Sequence, residues 1–425
     1  MVRKLLTGLF TVAVFATGSF AQAYPSNARI DALGGAFIVQ DQSKILAYAV
    51  QMNNYQDNAQ VTFNSPICGV KNLGEVVSVG VVVNRPLMLS FPSDSGFFYG
   101  AARTNLGAPI NATGGRALGP DQNIPHILLG LNLEAVKIGF DLFYEYSNFK
   151  QHIDDNPEGG NHVETDVSGN IHNAGGIASV LLDLKGMSLQ IKGGIGIPGT
   201  RGKREVTTTP PEGGTTTTET TESSSESAFF GVLGAELGLK VKDFNITLGG
   251  EFVGSHFQMK NGAGVVQNRS FYRHFDLYAG FTTEINKSGL AVLMIDLGVN
   301  SSGSEPDSLA YAVAQRKNYT NYIYNVIYAG YEHTWTKAWF FDTFTARAGM
   351  NYAIYSQIDH QKGEGTGGEY DSRTKRETVY NQVDPRLGIG ITKSVFALDL
   401  CVNPTVWAGL ISGPSVAKVT VSLDF

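Results

Sequence analysis

The chain is poor in charge, poor in cysteine and, past its first residues, without any long apolar run. Charged residues fill 16% of its 425 positions, and the formal net charge is −6. That leaves no basic footprint for a nucleic acid, so none is expected as a partner. The two cysteines, Cys68 and Cys401, are too few and too far apart for a disulfide scaffold or a zinc ribbon. Nothing beyond the leader approaches the roughly 18 consecutive apolar residues of an α-helical membrane span. Walker A, HExxH and GxSxG motifs are absent. Gly194-Ile195-Gly196-Ile197-Pro198-Gly199 fits GxGxxG, but it closes a strand pattern and no helical pattern follows, so it is not a dinucleotide turn. No enzyme activity, cofactor or metal site is expected.

What the chain does have is glycine and aromatics: 50 Gly, 24 Phe, 18 Tyr and 3 Trp. This suits a large β protein with many glycine-marked turns and bends. Residues 1–23 read as a secretory signal peptide, with Arg3 and Lys4 before an apolar core and Ala21-Gln22-Ala23 as the cleavage box.

The remainder alternates. In 136–146 the even positions are apolar and the odd ones carry Lys137, Asp141 and Glu145. That is period two over eleven residues, a strand with one greasy and one wet face. Fourteen such segments begin near Val76, Ile127, Val136, Gly176, Met187, Phe230, Phe244, Tyr272, Leu290, Tyr322, Trp339, Arg386, Phe396 and Val416. Their connections alternate between tight turns and long loops. This predicts an all-β fold, a transmembrane antiparallel β-barrel of about 14 strands over 75–425, with membrane lipid around it. The pattern sends Ile138, Phe140 and Leu142 to lipid. It sends Lys137, Asp141, Glu145, Glu251, Asp296, Arg347, Arg386 and Asp399 to the lumen, with Lys192, Glu236 and Asp276 beside them. Trp335 and Trp339 bracket one tight turn, as interfacial girdle residues do. Arg386 and Asp399 sit in one hairpin at a spacing that predicts an ion pair.

The tract 207–227, made of Thr, Ser, Glu, Pro and Gly alone, reads as a disordered external loop. The stretch from His152 to His172 is rich in His, Asp and Glu, but its spacing matches no metal template.

Residues 24–74 precede the first clear strand and read as a plug and lead-in segment. A compact element before a barrel of this width is a natural filling for its lumen. Gly34 and Gly35 permit a tight bend there, and Asp41 can cap a short helix running to Ala47. Arg29, Asp31 and Asp41 are expected to meet opposite charges on the inner wall. Cys68 in this segment and Cys401 in the wall could form a staple in an oxidising compartment.

The run from Arg29 through Leu33-Gly34-Gly35-Ala36 to Asp41 and on to Met52 resembles the N-terminal region of FadL/TodX-type outer-membrane transport proteins, with PorV-like barrels as near relatives. Where that family places an Asn-Pro-Ala triplet, this chain has Ala49-Val50-Gln51. The resemblance implies a plugged channel for passive uptake of a hydrophobic small molecule of fatty-acid or aromatic type. The PorV-like relatives imply instead a barrel that docks a secretion or surface partner. A general porin is the third reading. The last strand, ending in Phe425, resembles the signal read by the outer-membrane assembly machinery, which implies the outer membrane of a Gram-negative bacterium.

Overall fold

The computed structural model describes residues 27–55, 57–62, 67–83, 125–155, 161–211, 214–261, 263, 266–306, 316–365, 368–370, 376–404 and 416–424. The signal-peptide stretch and Phe425 lie outside them. Among the described residues, seventeen strands form one antiparallel sheet. In order they are β1 (Asn58–Thr62), β2 (Ile67–Leu73), β3 (Val77–Val83), β4 (His126–Leu133), β5 (Val136–Asp155), β6 (His162–Leu184), β7 (Met187–Thr209), β8 (Thr217–Val241) and β9 (Phe244–Asn261). Then follow β10 (Val266–Ile285), β11 (Gly289–Pro306), β12 (Arg316–Thr336), β13 (Thr343–Gly365), β14 (Gly368–Tyr370), β15 (Arg376–Lys393), β16 (Phe396–Val402) and β17 (Val416–Asp424). Each strand pairs with its neighbour in the chain, and β17 pairs back onto β1 from Asn58–Asp424 to Thr62–Thr420. The sheet is therefore closed and has no free edge. β14 only flaps against β13, which pairs directly with β15, so sixteen strands make the wall.

Fourteen of these match the alternating segments, and the expected strand number is corrected by two. β1 and β2 come from residues 58–73, inside the stretch assigned to the lead-in. In β1 the inward residues are Asn58, Gln60 and Thr62, all buried and all polar, and only Ala59 and Val61 face out. Five residues with two apolar ones give too little period-two signal to separate a wall strand from the short lead-in strand expected at 61–63.

The outer face is a belt of exposed large apolar side chains. On β5, Phe140 and Leu142 are outside, whereas Asp141 is only 2% exposed. Phe140→Arg should therefore cost about 2–4 kcal/mol at the bilayer midplane, with Asp141→Asn far milder. Urea titration of the protein folded into lipid vesicles checks both. The tight-turn end carries Trp335, Trp339 and Phe340, all exposed. Trp339 lies at φ 57 in the turn before β13. In the same turn the Asp342 carboxylate accepts the Ser394 N–H at 2.6 Å and stands 3.5 Å from Lys393. The Ser394 bond first, then the Lys393 charge, hold this carboxyl below the usual carboxylate range. Its contribution to stability is thus present above the unfolded value of about 3.9 and lost as pH falls through the lower folded value. Asp342→Asn should lower the unfolding midpoint at neutral pH, and the difference from wild type should close below about pH 3.9.

The connections also differ from expectation. The Thr/Ser/Glu tract is mostly strand: Thr207 pairs with Thr218 and Thr208 with Thr217, extending the β7–β8 hairpin. β-Branched threonines fit a pleated surface, and cross-strand pairs such as Thr207 with Thr218, hydroxyls 3.2 Å apart, replace the missing apolar contacts. The β5–β6 hairpin absorbs the His-rich stretch in the same way. There His152 pairs with Asp166 at 2.8 Å and His162 with Asp154 at 2.7 Å. No disulfide joins Cys68 on β2 to Cys401 on β16.

Candidate functional site

Inside the wall lies the segment 27–55, which contains helix α1 (Ala28–Ala32), helix α2 (Lys44–Ala47) and a 3-10 turn (Ala49–Asn54). Nearly all of it is buried. Asn27 caps α1 through its side chain, which accepts the Ile30 N–H at 3.0 Å. Leu33 ends α1, and Gly34 and Gly35 follow at φ +79 and +92. The Gly35 N–H reaches the Ile30 carbonyl and the Gly34 N–H that of Asp31, a Schellman ending that needs residues free to take positive φ. Asp41 Oδ1 accepts the Ser43 N–H at 3.0 Å, one residue ahead of α2.

Glycines on the inner wall let this segment approach closely. A Cβ at Gly349 would overlap the backbone of Leu33 and Gly34, one at Gly330 would overlap Leu33, and one at Gly139 the backbone of Ala49 and Val50. Gly280 similarly makes room for Ile38, and Gly388 for Ala32. These five sit on β5, β10, β12, β13 and β15, so the segment touches the wall on opposite sides. Its apolar face, including Ile30, Leu33, Ile38, Tyr48 and Val50, packs with Met294, Val326 and Tyr328 of the wall.

Charges hold the rest. Arg29 donates to Glu332 at 2.6 Å and lies 3.4 Å from Asp41. Burial works against the Arg29 charge, but these two carboxylates outweigh it and raise its pKa. Asp31 pairs with Lys418 at 3.0 Å. Asp41 differs from expectation: its partners are Arg29 and Asn27 on the same segment, not wall residues. The acid caps the turn before α2, and this brings it back toward α1. Lys44 pairs with Glu236 at 2.8 Å, and the same carboxylate accepts from Gln190 and Tyr278. Lys192 pairs with Glu251, donates to the Ala47 carbonyl at 3.2 Å and lies over the Tyr48 ring.

Of the other residues expected in the lumen, Lys137 donates to Asn54 of the segment, Asp141 pairs with His126, and Arg347 bridges Glu332 and Asp399. Asp296 is buried on β11 beside Asp276 on β10. The side chain of Glu145 lies outside the described residues. Arg386 pairs with Asp384, and Asp399 with Arg347, which corrects the expected Arg386–Asp399 pair. The β15–β16 turn leaves two residues unpaired, so Asp399 opposes Gly390 and Arg386 lies four positions up the strand. That ladder also stops at Leu387–Val402, before Pro385 and Pro404 can face each other. Sequence reasoning overlooked Glu332 and His126. Only Glu332 carried a usable signal, as the one acid in the inward-facing positions of β12 that continue Tyr324, Val326 and Tyr328.

Two cavities flank the segment, the first mainly polar and the second mixed. One of about 380 Å³ opens toward the tight-turn end beside Arg29, Asp41, Glu332, Arg347 and Asp399. The other, of about 330 Å³, lies between Ile38, Gln40 and the ends of β6 to β10. The apolar cavity is elsewhere, on the lipid side of the wall. It has about 630 Å³ and is formed by Phe140, Leu142, Ile195, Phe229, Leu233 and Phe252 over the glycines 176, 193, 194, 231 and 254. Beside it the β7–β8 ladder is interrupted between Gly196–Phe230 and Arg201–Ser224, and the β8–β9 ladder shifts between Glu226 and Phe229.

No family model and no curated protein matches the sequence. Solved structures with a distant likeness include the siderophore receptor PiuA from Acinetobacter baumannii, at 8% identity and TM-score 0.30, with 87% of this chain and 81% of that one covered. The ferric-catecholate import receptor Fiu from E. coli K12 gives 8% identity and TM-score 0.32 over the same shares. FpvA of P. aeruginosa, bound to pyoverdines, gives 10%, TM-score 0.26, and 87% and 65% coverage. None of the three is a FadL/TodX-type protein. At such scores the architecture rests on the strand pairing and the apolar belt of this chain alone, and these describe an outer-membrane β-barrel.

Proposed function

We propose that the barrel takes up apolar small molecules across the outer membrane and that residues 27–55 plug its lumen at rest. The observation that carries this reading is the coincidence of the apolar depression with the interrupted β7–β8 ladder. An apolar solute gains by leaving water for such a surface, and a wall with missing ladder hydrogen bonds is the part most readily parted. The polar cavity beside Arg29 and Asp41 argues against an apolar route straight down the axis. The test is uptake by proteoliposomes of a fluorescent fatty acid against glucose. Wild type should admit the first and hold back the second. Gly231→Leu should fill the depression and slow fatty-acid entry several-fold without unfolding the barrel, because a Cβ there comes no closer than 3.8 Å to any neighbour. Uptake indifferent to that substitution would sink the reading.

A second reading, a barrel that docks a partner and transports nothing, is favoured by the backbone-to-backbone seating of the segment at Gly349 and Gly139, which leaves it no slack. Proteoliposomes closed to both solutes would favour it.

A further inference from the structure

We propose that the outer face of β5 to β7 binds the phosphate of an anionic lipid in the outer leaflet, through Lys150 and Arg201 with help from Lys203. The β5–β6 and β6–β7 ladders run without a bulge over their whole length, so facing is conserved along each strand. On β5 the face that carries Phe140 and Leu142 continues upward, away from the tight turns. Tyr144 and Tyr146 come next, both more than half exposed, and then Lys150. Tyrosines above an apolar belt mark the level where hydrocarbon gives way to headgroups. On β7 the same outward face carries Ile195 and Ile197, then Arg201 and Lys203, both exposed.

The register joins these residues. Lys150 opposes Ser168, and Ser168 opposes Lys203, so the two ammonium-bearing side chains leave the sheet two strands, or about 10 Å, apart. Arg201 opposes Asn170 in the row just below. Four-carbon and guanidinium side chains span that separation and can close on one phosphate, with Arg201 giving the planar donor pair. Carboxylates lie in the same region. Glu222 opposes Lys203, Glu205 pairs with it at 2.6 Å, and Asp166 holds His152. Lys203 is therefore largely taken, and Lys150 and Arg201 carry the site. The two rows nearest the tyrosines hold three basic residues and one acid, and the other acids stand one row further from the membrane. The sign of charge thus matches a headgroup at the depth where one lies.

The experiment uses the full-length folded protein in detergent, titrated with diphosphoryl lipid A and with the same lipid stripped of phosphate, and read by native mass spectrometry. Wild type should retain the phosphorylated lipid preferentially. Each basic residue near an anionic surface contributes roughly fivefold in affinity, so Lys150→Ala with Arg201→Ala should weaken retention on the order of twentyfold. Lys150→Arg with Arg201→Lys should keep it, and Lys240→Ala, exposed at the opposite rim, should leave it unchanged. Heat-modifiable gel mobility verifies that each variant is folded. Equal retention of the stripped lipid, unchanged retention by the double alanine variant, or displacement by millimolar inorganic phosphate as by lipid would each overturn the proposal.

Discussion

Deleting residues 24–57 is expected to turn a barrel that blocks ions into one that conducts like an open pore. Barrels of sixteen strands enclose an aqueous channel when nothing fills them. On the proposed reading the filling is the segment 27–55, whose apolar face is buried against Met294, Val326 and Tyr328. The wall should survive its loss, because β1 begins at Asn58 and the closing ladder to β17 is made entirely by residues 58–62. The inner face would change in two ways. Glu332 would keep Arg347 as a partner, Glu236 would lose Lys44 but keep Gln190 and Tyr278, and Lys418 would lose Asp31. Water would then reach those groups, so their cost would fall as the pore filled. Planar-bilayer recordings should show near-silent wild type and steady, ohmic conductance in the deletion. Proteoliposomes should begin to leak small sugars. An intact protein that already conducts, with no change on deletion, would mean the segment does not seal the lumen.

How much of this was legible in the sequence depends on how many residues carried each signal. Long alternating strands announced themselves because period two repeats over eleven residues in segments such as 136–146. β1 and β2 were not counted as wall strands because they are short, and β1 offers only Ala59 and Val61 on its outer face, too few to show a period. The 207–227 tract misled for a different reason. Its composition lacks apolar residues, but strand pairing beyond the membrane is stabilised by the ladder and by threonine pairs, which hydropathy does not register. Within the site, the positions of Arg29, Asp31 and Gly34-Gly35 were readable from local chemistry. Their partners were not, because Glu332 and Lys418 come from strands some 300 residues or more away. The Arg386–Asp399 error was one of register, since the length of a single turn moves every cross-strand pair. What no local pattern could supply was the role of Gly139, Gly330 and Gly349, ordinary strand glycines until the backbone facing them is known.

The substitution with the largest expected cost to stability is Lys192→Ala. Lys192 and Glu251 face each other across β7 to β9 with side-chain exposures of 2% and 1%. Removing the ammonium strips the carboxylate of its counter-charge, uncovers the Ala47 carbonyl and takes the cation from the Tyr48 ring. An uncompensated buried charge of this kind costs about 3–5 kcal/mol. Glu251 also has acidic company, since it opposes Asp276 directly on β10. With the lysine gone, two carboxylates side by side add repulsion to the lost solvation. Unlike a loss confined to the wall, this one reaches the segment 27–55, because Ala47 and Tyr48 form the junction between α2 and the 3-10 turn. Lys192→Ala should therefore lower the urea midpoint and also raise the resting conductance, as that junction loosens. Pairing it with Glu251→Gln removes the orphaned charge and should recover most of the stability. It should leave the conductance raised, because the contacts to Ala47 and Tyr48 are still missing. If the double variant recovers neither, the cost arises from packing of the lysine stem and not from the unpaired carboxylate.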